Sequence, residues 1–168
     1  MNAIFNRRSV RQFNEKEVEN EKIELLLKAA MQAPSSRNQQ PWEFYVIKGK
    51  ENLEKLSKYN PYANAITTAN LAILLVSNTQ KLTKPESAVI DVAAATQNIL
   101  LEATSLGLGS LWCGMWPNKE RMTYVSELYQ LPDYLEPISV VAIGYPSKSN
   151  ANYYEDRYNE NKITYINE

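Results

Sequence analysis

Val92-Ala93-Ala94-Ala95-Thr96-Gln97-Asn98-Ile99-Leu100-Leu101 runs without a charge. Around it, Val89, Val92, Ala93, Thr96, Ile99, Leu100, Ala103 and Leu106 recur at intervals of three and four, which predicts a helix from about Glu86 to Leu106. That helix is apolar or weakly polar almost all round, so it has to be buried on most sides. A chain of 168 residues fits one domain and offers little room to enclose a helix completely. The pattern therefore predicts that a second copy of the chain covers part of it through a two-fold contact.

Working outward, Gly107-Leu108-Gly109 ends the helix and leads into a predicted strand, Ser110 to Gly114. Asn118 to Tyr129 reads as a helix, and Glu136 to Gly144 as a last core strand. On the other side, Asn70 to Ser77 is a continuous apolar run of strand length, which suits a central strand covered on both faces. Before it come a strand over Glu43 to Ile47, a helix over Lys50 to Ser57 and a turn at Asn60-Pro61-Tyr62. A helix from Glu21 to Ala33 is signalled by Ile23, Leu26, Leu27, Ala30 and Met31, with Asn20 as N-cap and Pro34 as stop. A short helix within residues 2–8 opens the chain. Residues 147–168 carry Tyr153, Tyr154, Tyr158 and Tyr165 among Asn, Glu and Lys, and have too few aliphatic residues to build a core. This tail is expected to lie on the surface of this subunit or of another. Helices and strands mix without regular β-α-β spacing, so the expected class is α+β in a single domain spanning 1–168.

Composition excludes several functions. A net charge of −1 argues against a nucleic-acid protein, which shows a basic excess or stripe. Histidine is absent, which removes His-based acid–base catalysis, Ser-His-Asp and Cys-His nucleophiles and the usual zinc sites, so no metal is expected. Cys113 is the sole cysteine, so no intrachain disulfide can form, and a cytoplasmic location is expected. No apolar leader follows Met1 and no apolar run reaches the length of a membrane span, so no membrane partner is expected. An enzyme with this inventory is most simply served by a cofactor that brings its own reactivity.

Two polar segments suit such a cofactor. Arg7-Arg8-Ser9-Val10-Arg11 sets three guanidinium groups and a hydroxyl in five positions, donors matched to a phosphate at one end of a ligand and carbonyl oxygens at the other. Pro34-Ser35-Ser36-Arg37-Asn38-Gln39-Gln40-Pro41-Trp42 offers uncharged hydroxyls and carboxamides that can read a polar heterocycle from its edge. Neither is a glycine-rich phosphate loop. By themselves these segments also fit plainer roles: a solvated basic turn, a helix stop at Ser35 and Ser36, a core position for Trp42, a small buried side chain at Cys113, and at Gly114 a backbone angle closed to other residues.

Taken together, Arg-Arg-Ser-x-Arg, Ala33-Pro34-Ser35-Ser36-x-Asn38-x-Gln40-Pro41-Trp42, the uncharged helix ending in Leu106-Gly107-Leu108-Gly109, and Ile143-Gly144-Tyr145-Pro146 resemble the nitroreductase family of FMN-dependent oxidoreductases in its short form. The resemblance covers nearly the whole chain. It implies a central, mainly antiparallel sheet flanked by helices in an interlocked homodimer whose tail embraces the partner. It implies FMN as cofactor and NADH or NADPH as electron donor. Arg7, Arg8 and Ser9 are implied at the phosphate and ribityl chain, with Arg157 completing the phosphate clamp. Arg11 is implied at N1 and the C2 carbonyl, where a fixed cation stabilises the charge that reduction places there. Pro34, Ser35, Ser36, Asn38 and Gln40 are implied on a loop reaching the flavin of the other subunit. Cys113 and Gly114 fall where a backbone N–H faces N5 and O4. Tyr62 and Trp116 are candidate walls of the substrate pocket. The chain departs from its relatives in having no cation between Asn60 and Ala65, and no inserted lid.

The activity this implies is ping-pong hydride transfer from NAD(P)H through flavin N5 to a nitroaromatic, quinone or similar conjugated small molecule. Two rivals share the cofactor: other flavin chemistry on the same fold (dehalogenation, flavin breakdown, ring oxidation), and a non-catalytic FMN-binding redox module.

Overall fold

The computed structural model describes residues 2–166. Its centre is β2 (Leu71–Asn78), every residue of which is buried. Antiparallel pairing joins β2 to β1 (Trp42–Lys48) on one side and to β4 (Leu135–Gly144) on the other. β3 (Gly109–Gly114) adds antiparallel to β4, giving the order β1-β2-β4-β3. The α+β class with an antiparallel sheet is thus as expected.

Alternation along β2 divides the core into two layers. Ala72, Leu74 and Val76 point with Leu111 and Val140 towards α3 (Lys50–Ser57) and α5 (Lys119–Tyr129). Leu71, Ile73 and Leu75 point with Val141 and Ile143 towards α2 (Asn20–Met31) and α4 (Ala88–Ser105). The apolar run from Leu71 to Val76 suits this place, because a strand that alternates between two packed faces needs apolar residues at both sets of positions. The register shifts between Leu75 and Val76, opposite Pro137 and Ser139. Proline cannot donate to a ladder, and a bulge is where a central strand tolerates it.

The long helix is slightly shorter than its periodicity suggests, because Pro85–Ser87 forms a separate 3₁₀ turn ahead of it. Its end is set by Gly107 at φ +73°, with the Leu108 N–H donating back to the Ala103 carbonyl at 2.8 Å. The inner face of α4 is buried through Val92, Ala95, Ile99 and Ala103. The outer stripe of Ile90, Ala94, Gln97 and Leu101 is uncharged and at least partly exposed, Ile90 by 70%.

Other boundaries also differ from the sequence reading: α2 ends at Met31, before the expected Ala33. The N-cap of α2 is Glu19, not Asn20, and Glu19 makes no side-chain cap bond. Asn20 is already helical, and its side-chain oxygen accepts from the Lys48 Nζ at 3.0 Å. The opening helix is a single turn, α1 (Ala3–Asn6), because Arg7 is extended at φ −56° and ψ 129°. Residues 153–166 of the tail are exposed. No helix among the described residues is long and apolar enough to cross a membrane.

Candidate functional site

The extended backbone after α1 carries the arginine segment along the open edge of β3. Ser9 forms a parallel bridge with Ser110, and the Val10 N–H donates to the Ser110 carbonyl at 3.0 Å. Close approach depends on Gly109: a Cβ there would stand 2.8 Å from the Val10 side chain. The strand edge therefore fixes where the guanidinium groups stand.

Arg8 is held from several directions. Its backbone N–H donates to the Asn152 side chain at 3.1 Å, and Asn152 in turn donates to the Leu108 carbonyl at 2.9 Å. Its guanidinium donates to the Arg7 carbonyl at 2.7 Å and lies 4.6 Å from the centre of the Tyr153 ring. Glu155 stands 3.6 Å from Nε, an ion-pair distance too long for a hydrogen bond. The buried Nε and one terminal nitrogen of Arg8 consequently lack a hydrogen-bond partner among the described residues. Arg157 is engaged by the same carboxylate, at 2.6 and 3.0 Å. The Arg7 guanidinium is pushed below its ordinary value by burial, then by the like charges of Arg8 and Arg157. Three cations thus converge with one carboxylate between them. Buried guanidinium nitrogens without acceptors are costly, and a phosphate supplies both the acceptors and the charge.

Beside this cluster, Ser9, Val10, Arg11, Gln12, Lys148 and Ala151 line a cleft of about 230 Å³. Arg11 is exposed, and among the described residues its side chain bonds only the Ser9 carbonyl, at 3.3 Å. It acts on Cys113, whose thiol burial pushes up to about 11, against opposing effects of Tyr59 and Arg11. A thiol so placed stays protonated at neutral pH and is no nucleophile. Gly114 is exposed, its φ is not in the left-handed region, and a Cβ added there would meet open space. The backbone there is open to solvent, and the angle-based reading of this glycine is set aside. These features fit a phosphate-bearing planar ligand such as FMN.

The Pro34–Gln40 loop is built differently. Arg37, Asn38 and Gln40 hold φ of 53°, 53° and 44°, all left-handed and none a glycine. The Ser35 Oγ accepts from the Gln40 N–H at 3.0 Å, and the Ser36 N–H donates to Asp91 at 2.9 Å. Pro34 is exposed, and Trp42 is buried in the core. Among the described residues no hydrogen bond or ion pair joins this loop to the arginine segment. The loop is tied to the start of α4 through Asp91, and the arginine segment to the strand that follows its end. The two ends of this 18-residue helix lie about 27 Å apart at 1.5 Å per residue.

Tyr62 is 85% exposed and Trp116 46%, so both are open to solvent in a single chain. Several contributors escaped the sequence reading. Arg121 reaches the Gly114 carbonyl at 3.5 Å and acts electrostatically on the buried Tyr59, placing a cation near β3 that no motif signals. Lys148, Asn152, Gln39 and Asp91 became visible only through contacts distant in sequence.

The sequence model of the nitroreductase family matches residues 4–70 and 57–145. An Archaeoglobus fulgidus protein provisionally named an NADH dehydrogenase/NAD(P)H nitroreductase is 40% identical over 166 residues, covering 97% of this chain and 95% of the relative. A Clostridium acetobutylicum structure provisionally described as an NADH oxidase superposes with a TM-score of 0.93 at 46% identity, covering 96% and 97% of the two chains. A Desulfovibrio desulfuricans structure provisionally described as a nitroreductase, in complex with FMN, gives a TM-score of 0.82 at 26% identity over 98% and 95%. The chain belongs to the nitroreductase family.

Proposed function

We propose that the protein is a homodimeric, FMN-dependent NAD(P)H oxidoreductase, one domain of 1–168 per subunit, reducing nitroaromatics, quinones or similar conjugated acceptors. The observation that carries this reading is the convergence of Arg7, Arg8 and Arg157 on too little negative charge, at the edge of the strand that ends in the bare backbone of Gly114. The family supplies the matching group: relatives include a Bacillus subtilis protein named FMN reductase (NADPH).

Bound FMN supplies hydride acceptance and electron delivery, chemistry that this histidine-free chain lacks. The arginines and Ser9 hold the phosphate end. Arg11 sets positive charge where the pyrimidine edge gathers electrons, which favours the reduced form. Cys113 and Gly114 offer an uncluttered strand end. The Pro34–Gln40 loop closes the site against water from the second subunit. That assignment follows from the separation along α4: a two-fold contact through Ile90, Ala94, Gln97 and Leu101 sets two such helices against each other and brings each loop to the other copy's arginines. The tail, with Tyr154 and Tyr158 more than half exposed, packs on the partner in this arrangement.

With one binding face for donor and acceptor in turn, initial rates with both varied should give parallel double-reciprocal lines. Intersecting lines overturn the ping-pong scheme, and a pure protein that is colourless and takes up no FMN overturns the whole reading. Flavin that is bound but not bleached by NAD(P)H without oxygen would point to the other flavin chemistries.

A further inference from the structure

We propose that Asp91 and Gln39 are positioning residues for the cofactor: together they hold the Pro34–Gln40 loop in the conformation that meets it. The inference rests on the function proposed above. Asp91, in the first turn of α4, is 4% exposed, and no ion pair reaches it among the described residues. A buried carboxylate without a cation is costly unless its oxygens are fully used. One oxygen accepts the Ser36 N–H at 2.9 Å, and the other accepts from the Gln39 Nε2 at 2.7 Å. Gln39 spends the rest of its carboxamide on a third segment. Its Oε1 accepts the N–H groups of Thr83 and Lys84 at 3.1 and 3.0 Å, and its Nε2 also donates to the Lys84 carbonyl at 3.2 Å.

What this staple holds is strained. Three non-glycine residues in four positions, Arg37, Asn38 and Gln40, are left-handed. Strain of this kind survives only where the surroundings over-determine the backbone, and it gathers at functional sites. The three strained residues are exposed, and among the described residues none of their side chains makes a hydrogen bond, although the Gln40 backbone N–H donates to the Ser35 Oγ. The half-buried residues Ser35, Ser36 and Gln39 thus make the bonds, and the strained ones are left with their side chains outward. Because Asp91 belongs to α4, whose outer stripe is the proposed dimer contact, the same helix would set both the partner's position and the loop's shape.

The test compares wild-type protein with Asp91→Asn and Gln39→Ala. Asp91→Asn keeps the volume but turns one acceptor into a donor facing another donor. Hydrogen exchange on the flavin-free protein should show Ser36 and Asn38 amides losing protection in both variants, with strands β2 and β4 unchanged. The FMN dissociation constant should rise about tenfold or more, equivalent to about 1.4 kcal/mol, and the visible band of the bound flavin should shift. If Asp91→Asn does not fold, Gln39→Ala carries the test, since Gln39 is only half-buried. Variants that bind FMN within a factor of about two of the wild type overturn the positioning role, whatever happens to the exchange rates. A wild type that takes up no FMN brings down the proposed function and this inference with it, a result plainly different from equal binding by all three proteins.

Discussion

The arginine segment and the Pro34–Gln40 loop both belong to the candidate site, and they are built on opposite principles. Around Arg7, Arg8 and Arg157 the chain tolerates repulsion and leaves guanidinium nitrogens unpaired. Around Ser36 and Gln39 nearly every polar atom of the staple is used, and the cost sits in the backbone. The first region stores its cost as charge that an anion can relieve. The second stores it as geometry that a ligand need not relieve, because the hydrogen bonds already offset it. The first should therefore gain stability on loading and respond to salt, whereas the second should be in shape beforehand.

The sharpest break is Arg7→Ala. Removing a guanidinium from a phosphate site should weaken FMN binding by about two orders of magnitude, the scale of a lost charged pair. The flavin-free protein should be no less heat-stable than the wild type, since a repulsion is removed. Titration by flavin fluorescence alongside calorimetry of the apoprotein checks both halves. A large fall in apoprotein stability would mean that the arginines are structural.

Gly109→Ala attacks the placement of the same segment rather than its charge. A Cβ 2.8 Å from the Val10 side chain forces β3 and the arginine backbone apart. Overpacking of this kind costs about 1–3 kcal/mol, and thermal unfolding should fall by about 2–4 °C for each kcal/mol in a domain of this size. Unlike Arg7→Ala, this change should lower stability and FMN affinity together.

Glu155→Gln should act in the opposite direction. Glu155 engages Arg157 at 2.6 Å and Arg8 at 3.6 Å, so it competes with an incoming phosphate. Exposed pairs of this type are weak, so FMN affinity should rise only by a factor of about two to five. Unchanged or weaker binding would show that the carboxylate orients the arginines instead of masking them.

The smallest effect lies outside both regions and serves as a control. The Glu19 carboxyl is held at about 2 by its own backbone N–H and then by the Tyr145 hydroxyl, with Lys22 and Lys16 adding to them. A carboxyl depressed in the folded state stabilises it above the ordinary value near 4.5 and loses that contribution as the pH falls towards 2. Tyr145→Phe should lower the urea midpoint slightly at pH 6, and the difference should close over that acid window without altering FMN binding at neutral pH.

Much of the fold was legible in the chain itself. The apolar run of β2, the amphipathic α2 and the uncharged middle of α4 each announce themselves through spacing that local geometry imposes. The motifs also pointed to the two segments proposed for the site. Boundaries failed where a side chain had a better partner elsewhere, as with Asn20, which bonds Lys48 instead of capping α2.

What the sequence by itself determined was therefore the kinds of element, their order, and the polar groups available to a ligand, because helix and strand periods act between residues a few positions apart. Tertiary structure alone decided which of those groups are satisfied and which remain open. Asp91 meets Ser36 across 55 positions, and Arg8 meets Asn152 across 144. Whether a charge is buried, masked or free depends on such distant neighbours, and no local pattern records them.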